Sequence, residues 1–210
     1  MKKVFLLAIA LLAVSSLSFA QNSKSFYRSS YESRNSGSFS QETSIVSLGY
    51  GFANQYYPNY NGSVYGGLNS FSLGPVYAKY EHGFLRDEVG LGGHVALATG
   101  WTKYNNGNVD YRDNITALSA ALLGYYHFNK LIPIKELDVY ACVGLSVHNR
   151  IYNYDPDYTG NRPDYSETNV YPIGKVGARY YVKPGIGFYA EAGYDYMSTL
   201  NLGVTFRLSD

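Results

Sequence analysis

Three stretches of this chain carry residue types at spacings that could do chemistry. The first, "LDVYACVGLSVH" (137–148), puts Cys142, Ser146 and His148 on one face of any extended segment, because side chains two apart project to the same side. A serine beside a histidine is a nucleophile and base pair of the kind acyl transfer uses. Spacing supplies no third group to orient the imidazole, so the expectation is polar packing rather than catalysis, and the chain is read as a non-enzyme. The second, "NYDPDYTGNRPDYSETN" (153–169), offers Asp155, Asp157, Thr159 and Gly160 in a weak likeness to a calcium loop. Pro156 occupies its second position and Glu167 falls one residue late for the twelfth, so a solvated acidic loop is expected. His94, His127 and His148 share a side of their segments, but no ligand spacing supports a metal site, and no cofactor is expected.

The third stretch, "KVGARYYVKPGIGFYAEAGYDY" (175–196), threads Lys175, Arg179, Glu191 and Asp195 singly through apolar, aromatic and glycine residues. Strand alternation puts Lys175, Gly177, Arg179 and Tyr181 on one face, opposite Val176, Ala178, Tyr180 and Val182. After the turn signal Lys183-Pro184-Gly185, Tyr189, Glu191, Gly193 and Asp195 share a face opposite Phe188, Ala190, Ala192 and Tyr194. One face is apolar and the other carries ion-pair candidates.

Elements that could position these residues recur along the chain. "SIVSLGYGF" sets Val46, Leu48, Tyr50 and Phe52 against Ser47, Gly49 and Gly51. "FSLGPVYAKY" sets Phe71, Leu73, Pro75 and Tyr77 against Val76 and Ala78. "EVGLGGHVALATGW" opposes Val89, Leu91, Val95, Leu97 and Trp101 to His94, Ala96, Ala98 and several glycines. "ITALSAALLGYYHF" is apolar on both faces, with only Ser119 and His127 marking the polar one. Segments 137–148 and 175–196 follow, then "LNLGVTFRL", with Leu200, Leu202, Val204, Phe206 and Leu208 against Asn201, Gly203, Thr205 and Arg207. These are eight strands of roughly 9 to 12 residues, the length a tilted strand needs to cross a bilayer. Short connections near 81–87, 129–136 and 183–185 alternate with longer polar ones at 53–67, 103–113 and 149–169. An outer-membrane barrel has this asymmetry of tight turns at one end and long loops at the other.

The start of the chain fits export. Lys2 and Lys3 precede the apolar run "VFLLAIALLAV", and Ser18 and Ala20 sit at the minus-three and minus-one positions of a cut before Gln21. Residues 1–20 are read as a cleaved signal peptide, 21–43 as a flexible Ser-rich leader, and 44–210 as one barrel domain. Without the two signal lysines the formal charge is about −1, which gives no reason to expect nucleic acid as a partner. Cys142 is the single cysteine, so no internal disulfide can form. The 24 tyrosines suit the aromatic girdles at the two lipid interfaces.

A lipid-facing Lys or Arg at mid-depth costs roughly 2 to 4 kcal/mol, so the charges of 175–196 must point into the barrel. The expected lumen cluster is Lys175, Arg179 and Arg207 facing Glu191 and Asp195. A lipocalin-like soluble barrel would need the reverse, apolar inside and polar outside. Eight strands leave room only for side chains inside, which disfavours an open pore, yet the inner face is rich in glycine and alanine. A narrow channel for small solutes or hydrophobic molecules is therefore the alternative function.

The segments "GFYAEAGYDY" and "LNLGVTFRL", with their inward Arg and Glu and the signal sequence, resemble the C-terminal strands of small outer-membrane β-barrel proteins of Gram-negative bacteria, the OmpA/OmpX-like group. The resemblance implies an all-β fold, an eight-stranded antiparallel up-and-down transmembrane β-barrel in the outer membrane with a polar, ion-paired interior. It also implies a final-strand signal, Asn201, Gly203, Phe206 and Leu208, read by barrel-assembly machinery. The chain departs from the common ending, in which an aromatic is last, because Arg207, Leu208, Ser209 and Asp210 follow Phe206. No peptidoglycan-binding domain is expected after the barrel. The expected role is structural or surface-interacting, because the outer loops are rich in Tyr, Asn, Gly and Ser, a mixture suited to adaptable protein contacts. Partners are then outer-membrane lipid and an extracellular or envelope protein.

Overall fold

The computed structural model describes residues 38–52, 69–105, 110–153 and 163–209. Eight strands, β1 (Ser44–Phe52), β2 (Asn69–Gly83), β3 (Val89–Asn105), β4 (Asp110–His127), β5 (Leu137–Asn153), β6 (Tyr165–Lys183), β7 (Ile186–Tyr194) and β8 (Leu200–Ser209), pair in chain order. Every pairing is antiparallel, and β1 closes on β8 from Ser44↔Ser209 to Phe52↔Leu200. Closure leaves no unpaired strand edge, the condition for a sheet to sit in lipid. Described residues contain no helix long and apolar enough to cross a membrane.

The faces separate cleanly. Leu91, Val95, Leu97, Leu118, Leu122, Val143, Leu145, Val176 and Phe188 are each roughly half or more exposed, whereas Ser47, Lys79, His94, Ser119, Lys175, Glu191 and Thr205 are buried. The molecule is apolar outside and polar inside, an inversion that makes sense only if lipid replaces water around it. Inner glycines admit tyrosine rings. A Cβ on Gly49 would come within 1.9 Å of the Tyr189 hydroxyl, and one on Gly177 within 2.7 Å of the Tyr140 ring.

Three expectations need correction. In β2, the even alternation that put Tyr77 with Phe71 and Leu73 on the apolar face breaks at Gly74-Pro75. The pairing with β3 shifts register between Leu73 and Val76, and Gly74 adopts φ +92°, which a side chain rarely tolerates. Beyond this bulge Tyr77, Lys79 and Glu81 are buried in the lumen, while Val76 and Tyr80 face outward.

Strand length is the second correction. β2 to β6 run 15 to 19 residues rather than 9 to 12. Most of the connection expected at 103–113 is strand, paired out to Asn105↔Asp110, and the one expected at 149–169 is strand out to Asn153 and from Tyr165. Polar residues can continue a ladder beyond the lipid when they satisfy one another across it. Asn149 donates to Thr168 Oγ1 at 2.9 Å, Arg150 pairs with Glu167 at 3.4 Å, and Tyr152 stacks on Tyr165 at 4.4 Å.

The third concerns the leader. Ser38–Thr43, assigned above to the flexible segment, dock under the barrel end that carries the short turns, with Ser38, Phe39 and Thr43 buried. Asn129 Nδ2 donates to the Phe39 carbonyl at 2.8 Å, Gln41 N to Asp87 Oδ1 at 3.0 Å and Gly83 N to the Thr43 carbonyl at 2.9 Å. Phe39 supplies the apolar anchor that the serine-rich composition obscured. The signal at 1–20 with its cut between Ala20 and Gln21, the leader from 21 to 37, loop 53–67, and Asp155, Asp157, Thr159 and Gly160 lie outside the described residues.

Candidate functional site

The lumen is built from alternate residues of all eight strands, and its polar groups form three tiers. At the base, His127 at the end of β4 stands between two carboxylates, with Nδ1 2.7 Å from Asp138 Oδ1 and Nε2 2.6 Å from Glu81 Oε1. A carboxylate accepts but does not donate, so both ring nitrogens carry hydrogen and the ring is an imidazolium. Arg179 closes the ring of charges, donating to Asp138 Oδ2 at 2.9 Å and to Glu81 Oε2 at 2.5 Å. Its guanidinium also lies 4.1 Å from the centre of the Tyr140 ring. Phe39 covers this tier from below, stacked on His127 at 3.6 Å between centroids and 7° between planes.

In the middle tier Glu191 accepts from Lys79 at 2.5 Å and from the Tyr140 hydroxyl at 2.7 Å, with Lys175 3.6 Å away. Lys175 in turn donates to Asp195. His94, fully enclosed by β3 and its neighbours, stands 3.9 Å from Asp195 and edge-on to Tyr77. Across the two lower tiers, four cations (Lys79, Lys175, Arg179 and His127) meet four anions (Glu81, Asp138, Glu191 and Asp195). Such a set is stable away from water because every charge has a partner of opposite sign.

The upper tier is mainly aromatic. Tyr171 and Tyr196 stack at 3.9 Å and 8°, His148 stands edge-on to both at 5.4 Å, and Arg150 lies 4.6 Å above Tyr196. Beneath them Ser146 Oγ is 2.7 Å from His148 Nε2 and donates to the Tyr171 carbonyl at 3.2 Å. The hydroxyl hydrogen is shared between two neighbours, the imidazole and the Tyr171 carbonyl, and Ser119 Oγ also lies 3.5 Å from the same ring nitrogen. Cys142 is buried lower on the same strand.

Of the residues singled out from sequence, Lys175, Arg179, Glu191 and Asp195 all point into the lumen, with Glu191 opposite Gly177. Arg207 reaches the docked N-terminal segment instead, donating to the Ser38 carbonyl with its guanidinium 4.0 Å above the Tyr181 ring. Asn201 is buried and accepts from the Tyr189 hydroxyl at 2.7 Å, Gly203 packs against Tyr189, and Leu208 faces outward. His94, His127 and His148 sit in separate tiers, and no group of three or more metal-ligating side chains occurs among the described residues. Sequence reasoning missed Lys79, Glu81 and Asp138. The two-residue spacing of Tyr77, Lys79 and Glu81 in "VYAKYEHG" was the available signal, with the phase restarted after Pro75.

A closed eight-stranded antiparallel barrel, apolar outside and ion-paired within, is the architecture of small outer-membrane proteins, and this chain has that fold. Among solved structures it is similar to the outer membrane protein OprG from Pseudomonas aeruginosa, at 10% identity and a TM-score of 0.50, covering 83% of this chain and 96% of that one. The N-terminal β-barrel domain of Pseudomonas aeruginosa OprF is similar at 17% identity and 0.38 (80% and 99% covered), and Ail, the attachment invasion locus protein of Yersinia pestis, at 12% and 0.42 (79% and 95%). No family model and no curated protein sequence matches the chain.

Proposed function

We propose that the protein is an integral outer-membrane barrel whose interior is a structural core and whose working surface is the extracellular end of β3 to β6 with the connections 53–67, 103–113 and 149–169. The observation that carries this reading is the pairing of lumen charges with one another. Glu81, Asp138, Glu191 and Asp195 are each bonded to a cation within the barrel, so these lumen charges, among the described residues, are engaged with one another rather than set in a row to conduct ions or bind a solute. The strand extensions support the surface role. Seventeen residues at ~3.3 Å and a ~45° tilt rise about 40 Å, against an apolar band about 25 Å tall, so the upper third of β3 and β5 stands clear of the lipid.

The barrel is not an enzyme in this reading, since the Ser146–His148 pair is buried in the lumen beneath the tyrosine stack. Asn201, Gly203, Phe206 and Leu208 serve as the signal for barrel assembly, and residues 1–20 are removed on export. The test combines membrane fractionation, surface proteolysis and planar-bilayer conductance. An outer-membrane band that migrates differently when unheated, is cut only at the long-loop end and gives no discrete conductance is the expected result. A soluble band, or steady single-channel currents, would overturn it.

A further inference from the structure

On the outer face, β3 and β4 place two cations side by side at one height. Lys103 and Arg112 are direct cross-strand partners, both exposed, and both lie over the same indole: Lys103 Nζ is 5.5 Å and Arg112 Cζ 5.1 Å from the Trp101 ring centre. Phe71 stacks on the other side of Trp101 at 6.1 Å, and Arg112 Nε donates to Asn114 Oδ1 at 3.0 Å. Like charges directly opposite on a ladder repel, and neither cation forms an ion pair with a described acid.

The height decides what they meet. From Val89, where the lipid-facing apolar residues of β3 begin, to Trp101 is twelve residues, or about 28 Å at a ~45° tilt, close to the height of the apolar band. Lys103 and Arg112 sit one step beyond it, where headgroups begin. An anion seated between the two cations would relieve their repulsion, and its lipid would lie along Phe71 and the apolar face below. At this height on β5 and β6 the outward residues Asn149, Ile151, Ser166 and Thr168 are uncharged.

We infer that Lys103, Arg112 and Trp101 form a binding site for the phosphate group of an anionic lipid headgroup in the outer leaflet. The site rests on the membrane reading above. Trp101 is the chain's single tryptophan, so its fluorescence reports this site alone. The experiment folds the full protein into phosphatidylcholine vesicles and compares quenching by brominated phosphatidic acid with quenching by brominated phosphatidylcholine. The parent should show a preference for phosphatidic acid of roughly tenfold or more, K103R/R112K should keep most of it, and K103Q/R112Q should lose it. An undiminished preference in K103Q/R112Q, or none in the parent, overturns the site. Abolition of the preference by millimolar inorganic phosphate would also overturn it, since the site would then take the free anion rather than the lipid. Failure to give a heat-modifiable band in vesicles would instead overturn the membrane reading and this inference with it.

Discussion

The two ends of the lumen are closed by different physics. At the base, His127, Arg179, Glu81 and Asp138 satisfy one another as ions, and Phe39 lies flat over them. At the mouth, Tyr171, Tyr196 and His148 close the barrel with ring contacts and neutral hydrogen bonds. Removing one member of a buried ionic set strands a charge, whereas removing one ring from a stack costs only that contact. The base is therefore a brittle seal and the mouth a forgiving one.

The largest effect that would sharpen this contrast is at the ionic core. Glu191→Ala strands Lys79 and leaves the Tyr140 hydroxyl without its acceptor, and should cost roughly 3 to 5 kcal/mol in urea unfolding from vesicles. Val204→Ala on β8 removes only apolar contact and should cost about 1 to 2 kcal/mol. Equal costs would mean that the lumen charges are hydrated and the ionic seal is fictitious. Phe39→Ala comes next, at about 2 to 4 kcal/mol for a buried ring stacked on a cation, and it should admit periplasmic reagents to the base.

Tyr196→Ala at the mouth should cost about 0.5 to 1.5 kcal/mol with the barrel still resistant to unheated detergent. A loss as large as that of Glu191→Ala would break the comparison. The smallest effect lies outside the membrane, where Lys130 pairs with Glu88 at the turn end. The hydrogen bond from Lys130 holds the Glu88 carboxyl below its usual range. Its contribution is therefore full above the ordinary glutamate value and disappears as pH falls through the depressed one. Lys130→Ala should leave unfolding at neutral pH nearly unchanged and flatten only this acid limb.

Much of the barrel was legible because alternation is strict where one side meets lipid. The irregularities of the β6–β7 and β1–β8 pairings fall at strand ends, beyond Tyr181 and at Ser44, so Lys175, Arg179, Glu191 and Asp195 could be placed from spacing. Three members of the ionic core, Lys79, Glu81 and Asp138, were hidden for two reasons. The bulge at Gly74-Pro75 reset the phase of β2 and disguised Lys79 and Glu81, and Asp138 stands second in its strand, where alternation has barely begun. The docking of Phe39 was invisible because one aromatic among serines has no period to betray it. Strand length was underestimated because the polar upper parts of β3 to β6 read as loop when hydrophobicity is the guide, although they pair across the ladder.

The seat of Ser38–Thr43 also bears on the order in which the molecule is made. The segment is held by Asp87 beside the β2–β3 turn, by Asn129 beside the β4–β5 turn and by Arg207 on β8. Asp87 and Arg207 are 120 residues apart in the chain, and the full set of contacts comes together only when β8 has met β1. The segment just ahead of β1 is thus fully fixed only once the last strand has arrived, and its protection from protease serves as a receipt that closure is complete.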